Sequence, residues 1–136
     1  MDRKEGWELR LAGVFARYQS EPFDWERHNC VTFAGEVVQA LTGVRAIAYP
    51  SSPSVSTPVE AARALAELGG LEVAATAVLG APIDGWKLCR RGDIALVEQD
   101  GRPLLMACAG STLCGPSMQG LAHLPLRNAL KVWRVG

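Results

Sequence analysis

Apolar side chains recur with helical spacing in the first part of the chain. The first such segment contains Trp7, Leu11, Val14, Phe15 and Tyr18, with polar residues between them. This spacing predicts an amphipathic helix whose apolar stripe faces the core. Ser20, Glu21 and Pro22 follow directly and end it.

A second apolar stripe follows Asn29, a favourable N-cap because its side-chain oxygen can accept from the free amides of the first turn. The stripe contains Val31, Phe33, Ala34, Val37, Val38 and Leu41. Cys30 therefore lies in the first turn, where the positive end of the helix dipole favours the thiolate over the thiol. Cysteine hydrolases activate their nucleophile in this way, although a single cysteine beside an apolar helix is more often a small buried hydrophobic residue.

Two more helices are predicted before the pattern changes. Prolines and serines in residues 44–58 indicate an extended loop, and whether it covers the cysteine or a partner's surface stays open. Thr57 and Glu60 then provide the N-cap and the carboxylate of a capping box, which predicts a helix to about Leu68. A short alanine-rich helix is expected over residues 71–79.

Strand patterns dominate the rest of the chain. The predicted strands are residues 93–98, 103–108, 121–126 and 131–135. Asp100-Gly101 joins the first two by a tight turn, because both of its central positions favour positive φ. Helices first and strands last predict an α+β fold, with N-terminal helices packed on a C-terminal antiparallel sheet.

Length and charge narrow the class of protein. A chain of 136 residues predicts a single domain over residues 1–136. Lys plus Arg and Asp plus Glu number 14 each, with no stretch of one sign, so no nucleic-acid partner is expected. No apolar run approaches the roughly 20 residues needed to span a bilayer, and the N-terminus lacks a signal-peptide core. We therefore expect that the protein is made in the cytoplasm and that it does not insert into a membrane.

The cysteines do not indicate a metal site. The chain contains Cys30, Cys89, Cys108 and Cys114, none of them in the C-x-x-C spacing typical of zinc ribbons and redox sites. An iron–sulfur cluster built from four such distant thiolates is disfavoured. The sequence therefore predicts reduced, separate thiols, no metal and no cofactor.

Three blocks of sequence occur in a specific order. They are F-x-W-x-x-H-x-C at Phe23 to Cys30, R-G-D at Arg91 to Asp93 before an apolar strand, and W-R-V-G at Trp133 to Gly136. Together they resemble the NlpC-type branch of the papain-fold cysteine peptidases, and more narrowly a small phage tail family of that fold. The resemblance covers nearly the whole chain. It implies a papain-like fold, other phage tail proteins as partners and a location in the virion.

The resemblance also implies which residues to inspect for catalysis. In that superfamily the cysteine attacks a carbonyl, and a histidine that opens the second strand of a hairpin takes the thiol proton. Leu104 occupies the matching position, so the usual base is absent. His28, in the loop before Cys30, and His123, in a predicted strand, are the two candidates for a replacement base.

Further departures from the superfamily pattern surround the cysteine. Asn29 replaces aspartate, and Val31 and Thr32 replace small residues, which weakens the case for an oxyanion-binding loop. Asp93 is expected to bind loop amides rather than to orient a catalytic group.

We therefore expect a tail-tip or tail-assembly structural protein without enzymatic activity. The alternative is an active cysteine hydrolase, either a peptidoglycan endopeptidase or a tail-processing peptidase, with Cys30 as nucleophile. A cellular globular domain with no connection to phage is the third interpretation.

Overall fold

The computed structural model of the chain describes residues 1–45 and 56–136. In these residues four helices precede six strands, which confirms the predicted α+β class. The elements are α1 (Trp7–Tyr18), α2 (Cys30–Thr42), α3 (Pro58–Glu67), α4 (Leu71–Leu79), β1 (Ile83–Asp84), β2 (Ile94–Gln99), β3 (Arg102–Cys108), β4 (Thr112–Ser117), β5 (Gly120–Pro125) and β6 (Lys131–Trp133). The predicted extended loop over 44–58 falls mostly on residues 46–55, which lie outside the described residues.

The helices occupy the predicted segments. The side-chain oxygen of Asn29 accepts from the amides of Val31 and Thr32, both at 3.0 Å, so α2 begins where the capping residue predicts. Gly43 ends α2 in the left-handed region, with a φ of 77°. None of the described helices combines the length and the apolar character that crossing a membrane requires.

The strands form one sheet in the order β1-β6-β2-β3-β4-β5, with neighbouring strands antiparallel. The four predicted strands correspond to β2, β3, β5 and β6. The turn between β2 and β3 has positive φ at both Asp100 and Gly101, as predicted. The sequence does not predict β4, since Gly115 and Pro116 disfavour strands, and its pairing with β5 outweighs that local preference.

Side chains of the sheet alternate between two apolar faces, and this alternation positions the site. One face packs against α1, α2 and α4 and includes Leu105 and Ala107 of β3. The opposite face includes Leu104, Met106 and Cys108 of the same strand. A residue of β3 can therefore meet α2 only if it lies on the first of these faces.

The last strand closes the core. The Trp133 side chain is fully buried, and its Nε1 donates to Thr76 Oγ1 of α4 at 3.2 Å. Arg134 is exposed. The prediction that the indole covers the core and the guanidinium points outward is confirmed.

Asp93 connects the two ends of the chain to the sheet. Its Oδ1 accepts from the Arg3 guanidinium and from the Val135 amide, both at 3.2 Å. Its Oδ2 accepts from the Arg90 amide at 2.9 Å. The carboxylate is fully buried, so these contacts replace the water it loses. The structural role predicted for Asp93 is confirmed.

Candidate functional site

The start of α2 is fixed by a network around Asn29. Its Nδ2 donates to the Trp25 carbonyl at 2.8 Å, while Thr32 Oγ1 accepts from the Asn29 amide at 2.8 Å. The Trp25 side chain in turn packs on Ala61 and Ala64 of α3. The loop that leads to the cysteine is therefore held by the capping residue on one side and by α3 on the other.

Cys30 is the first residue of α2, and its side chain packs against the core on the face of β3 that meets the helices. Burial raises the pKa of this thiol above the usual value for cysteine. The backbone amides of Leu105, Cys30 and Val31 act in the opposite direction, but burial outweighs them. The predicted preference for the thiolate at this helix start is therefore wrong, because the structure favours the neutral thiol.

The first amides of α2 are already engaged. Asn29 Oδ1 accepts from both Val31 and Thr32, each at 3.0 Å. An oxyanion hole needs donors that point at the position of the developing charge. These two amides bind the capping side chain instead, whereas the Cys30 amide lies beside its own thiol.

The strand opposite Cys30 presents a different residue from the one the resemblance indicated. Leu104 lies on the far face of the sheet, with Met106 and Cys108. Leu105 faces the helices, and its backbone amide lies beside the Cys30 thiol. The position that the resemblance matches to the base, Leu104, therefore points away from Cys30, and its neighbour Leu105 lies on the face that meets α2. Neither leucine can accept a proton.

His28 lies in the loop before α2, where its backbone exchanges two hydrogen bonds with Asp24. The residue is only 2% exposed, and its ring stacks on Tyr18 with a centroid separation of 4.5 Å. The Phe33 ring meets the imidazole edge-on. Burial lowers the pKa of His28, so the ring is neutral at neutral pH. Within the described residues its Nε2 has no hydrogen-bond partner, and no hydrogen bond joins the ring to Cys30.

His123 lies farther from the cysteine. It pairs with Cys114 of β4, which in turn pairs with Ala107 of β3. Two strand spacings, about 10 Å, therefore separate it from the strand beside the Cys30 thiol. The ring is exposed, borders a pocket of about 300 Å³ beside α1, and its Nδ1 forms a 2.8 Å hydrogen bond with Thr112 Oγ1.

The structure thus brings together Cys30 and the Leu105 backbone but neither candidate histidine. Tyr18, which stacks on His28, is part of the predicted apolar stripe, and no sequence signal indicates its aromatic partner. The sequence also misses the proximity of Cys89 and Cys108, because no short motif connects them.

A surface groove of about 630 Å³ lies between α4 and the strands β1 and β6. Lys131 borders this groove and lies 3.2 Å from the carboxylates of both Glu72 and Asp84. The charges of the groove are therefore paired with one another. Over residues 1–45 and 56–136, no group of three or more His, Cys, Asp or Glu side chains is arranged to hold a metal ion.

Comparisons with known proteins place the chain in one family. Neither the curated proteins nor the solved structures gave a match to it. A family model described as a domain of unknown function, DUF6950, matches residues 2–135. Since this match covers almost all of the 136 residues, the chain belongs to the DUF6950 family.

Proposed function

We propose that the protein is a structural component of a phage tail tip or tail assembly, built on a scaffold like that of the NlpC-type cysteine peptidases but without their catalytic base. We infer the loss of catalysis from the environment of Cys30. Its side chain is partly buried against the core, this burial raises the pKa of the thiol, and Leu105 occupies the facing strand.

A cysteine hydrolase needs a thiolate and a base within hydrogen-bond reach of it, about 3 Å. The packing of Cys30 against the core raises the pKa of its thiol and so favours the protonated form. His28 is packed between Tyr18 and Phe33, and His123 lies on a strand two positions away from β3. Neither imidazole hydrogen-bonds to the sulfur among the described residues, and this supports a scaffold without catalysis.

Cys30 fits a role in the fold. As a small, weakly polar side chain it fills the space between the first turn of α2 and β3. The Asn29 cap and the loop from Phe23 hold this junction together. A nucleophile helix can be kept for such packing after its reaction has been lost.

The assignment to a phage tail is supported by the sequence resemblance, namely the blocks at residues 23–30, 91–93 and 133–136. It implies that the chain works through contacts with other tail proteins, in the virion, after synthesis in the host cytoplasm. With 14 charges of each sign, such contacts depend mainly on shape and apolar area rather than on net charge.

The test is a phage that encodes the Cys30→Ala variant of this chain. We expect normal incorporation of the variant into purified tails, measured by mass spectrometry, and infectivity equal to that of the wild type. Phe33→Ala, which empties a fully buried position of the same helix, is the matched control and should reduce incorporation. Cys30→Ala phage that assemble normal tails but have lost infectivity would contradict the proposal. Wild-type phage whose purified tails do not contain this chain would contradict it as well.

The second candidate is an active hydrolase, favoured by one observation, the retention of a cysteine at the capped start of α2. It predicts that the purified chain releases soluble fragments from peptidoglycan, or cleaves a tail protein, and that Cys30→Ala abolishes this release. If the wild type is active and both His28→Phe and His123→Gln keep this activity, neither histidine is the catalytic base.

A further inference from the structure

Cys89 and Cys108 lie on the face of the sheet opposite α1 and α2, away from Cys30. Cys108 is the last residue of β3 and is fully buried. Cys89 precedes β2 and is partly exposed, and both side chains belong to one apolar cluster. Both are free thiols. This pair has no part in the proposed function.

The backbone holds the two cysteines together. The Asp93 amide donates to the Arg90 carbonyl at 2.9 Å and closes a tight turn directly after Cys89. The Gly92 amide then donates to the Cys108 carbonyl, and the Cys108 amide donates to the Asp93 carbonyl, both at 2.8 Å. Because the turn is paired with the end of β3, Cys89 is carried back towards Cys108.

The two thiols interact directly. The Cys89 and Cys108 side chains are close enough to interact, and this interaction lowers the pKa of Cys108 to about 7; the Cys108 Sγ also lies 3.9 Å from the Gly110 carbonyl oxygen. The same interaction retains the Cys89 proton and raises the pKa of Cys89. The interaction therefore favours a single thiolate stabilised by the neighbouring thiol, the state from which thiol–disulfide exchange begins.

The other two thiols are poor competitors. Burial and the neighbouring Cys108 charge raise the pKa of Cys114 to about 12, and burial raises the pKa of Cys30. Cys114 is also on the opposite face of the sheet from Cys108. Oxidation is therefore directed to the Cys89 and Cys108 pair.

We propose that Cys89 and Cys108 form an oxidisable dithiol, which low-molecular-weight disulfides such as oxidised glutathione convert to an intramolecular disulfide. Cys89 is the sulfur that a small disulfide can reach, because it is partly exposed, so it reacts in the minor form in which the shared proton has passed to Cys108. The Cys89 sulfur attacks one sulfur of the small disulfide, whose S–S bond breaks, and the first small thiolate leaves and takes a proton from water. Cys108 then loses its proton, attacks the Cys89 sulfur of the mixed disulfide and displaces the second small thiolate, which takes that proton.

The electrons balance in this exchange. The protein dithiol is oxidised by two electrons, and one small disulfide is reduced to two small thiols. The new bond links the segment before β2 to the end of β3 and encloses the β2–β3 hairpin. It also fastens the turn that carries the buried carboxylate of Asp93, so the oxidised form should melt at a higher temperature than the reduced form.

The experiment uses the full chain, incubated near pH 7 with oxidised glutathione, alkylated and digested with trypsin without reductant. Cleavage after Arg90 separates Cys89 from the peptide that contains Cys108 and Cys114. We expect two peptides joined by a disulfide, one of them containing Cys89. This product should form roughly ten times faster than any disulfide forms in Cys89→Ser. Cys89 is partly exposed, so its replacement by serine leaves the core intact.

Cys114→Ala is the matched control, because Cys108 and Cys114 share one tryptic peptide. This variant should form the linked pair at the wild-type rate and show the same rise in melting temperature on oxidation. Loss of the linked pair in Cys114→Ala would overturn the proposal. A wild-type product that is only a glutathione adduct, or an equal disulfide yield in Cys89→Ser, would overturn it as well.

Discussion

At Cys30 two electrostatic effects oppose each other. The backbone amides at the start of α2 favour the thiolate, whereas burial against β3 favours the thiol, and burial is the larger effect. The helix start is visible in the sequence, since Asn29 and the apolar stripe that follows predict it. Burial depends on a strand about seventy residues later in the chain, so residue patterns around the cysteine do not reveal it.

His28 is the residue whose protonation should affect stability. Burial lowers its pKa in the folded chain, whereas the unfolded chain binds a proton near pH 6.5. Below that pH the unfolded state therefore holds more protons, and the free energy of unfolding falls until the pH passes the folded-state pKa. The slope for one proton is at most about 1.4 kcal/mol per pH unit.

Urea unfolding of the wild type and of His28→Phe, from about pH 7.5 to 5, measures this loss. Phenylalanine keeps the stack on Tyr18 but cannot be protonated, so the variant should lose less stability on acidification. His123→Gln, at an exposed position, is the control and should behave like the wild type. An equal loss in His28→Phe and the wild type would exclude His28 as the source.

At the scale of elements, local pattern predicts the helices and the β2–β3 hairpin well. The capping residues Asn29 and Thr57 and the Asp100-Gly101 turn each specify their own backbone geometry. The short β1 depends on pairing with the distant β6, which sequence periodicity does not contain. β4 pairs with its sequence neighbour β5, but Gly115 and Pro116 hide it from a prediction based on strand propensity. The resemblance specifies a position for Leu104 but not a strand face, and the structure places it on the face away from α2.

Gly120 fixes the contact between β5 and the end of α1. Its φ is 105°, and a Cβ there would overlap the carbonyl oxygen of Gln19. Gly110 has nearly the same φ, 106°, but open space around it. Gly110→Ala should cost only the strain of positive φ, about 1–2 kcal/mol.

Gly120→Ala should cost at least about 2 kcal/mol more than Gly110→Ala, since the backbone must also move apart to relieve the overlap. Chemical denaturation of the two variants gives the difference directly. Equal destabilisation would show that the β5 contact with Gln19 adjusts without cost.

At the scale of the whole molecule, the order of the predicted elements was sufficient for the α+β class. It could not show that the two chain ends meet. Arg3 and Val135 both bind Asp93, which the sequence identifies only as a loop residue at a strand entry. Such a junction depends on the complete topology and so appears only in the folded chain.

Asp93→Ala should destabilise the protein by about 3–5 kcal/mol, because it leaves the Arg3 charge and two amides without their acceptor. Arg90→Ala is the matched control at the same carboxylate. The Arg90 side chain is 51% exposed and its Nε lies 3.9 Å from Asp93, so its loss should cost less than about 1 kcal/mol. Similar free energies of unfolding for the two variants, from denaturant titration, would contradict this ranking.

The central claim is that Cys30 belongs to a scaffold rather than to a working nucleophile. The most direct measurement is the rate of Cys30 alkylation by iodoacetamide as a function of pH, resolved by mass spectrometry in the folded chain. We predict a rate at neutral pH no higher than that of cysteine in an unstructured peptide, rising with pH through the alkaline range. A rate at least about tenfold above that peptide, with a plateau below neutral pH, would show an activated thiolate and contradict the account.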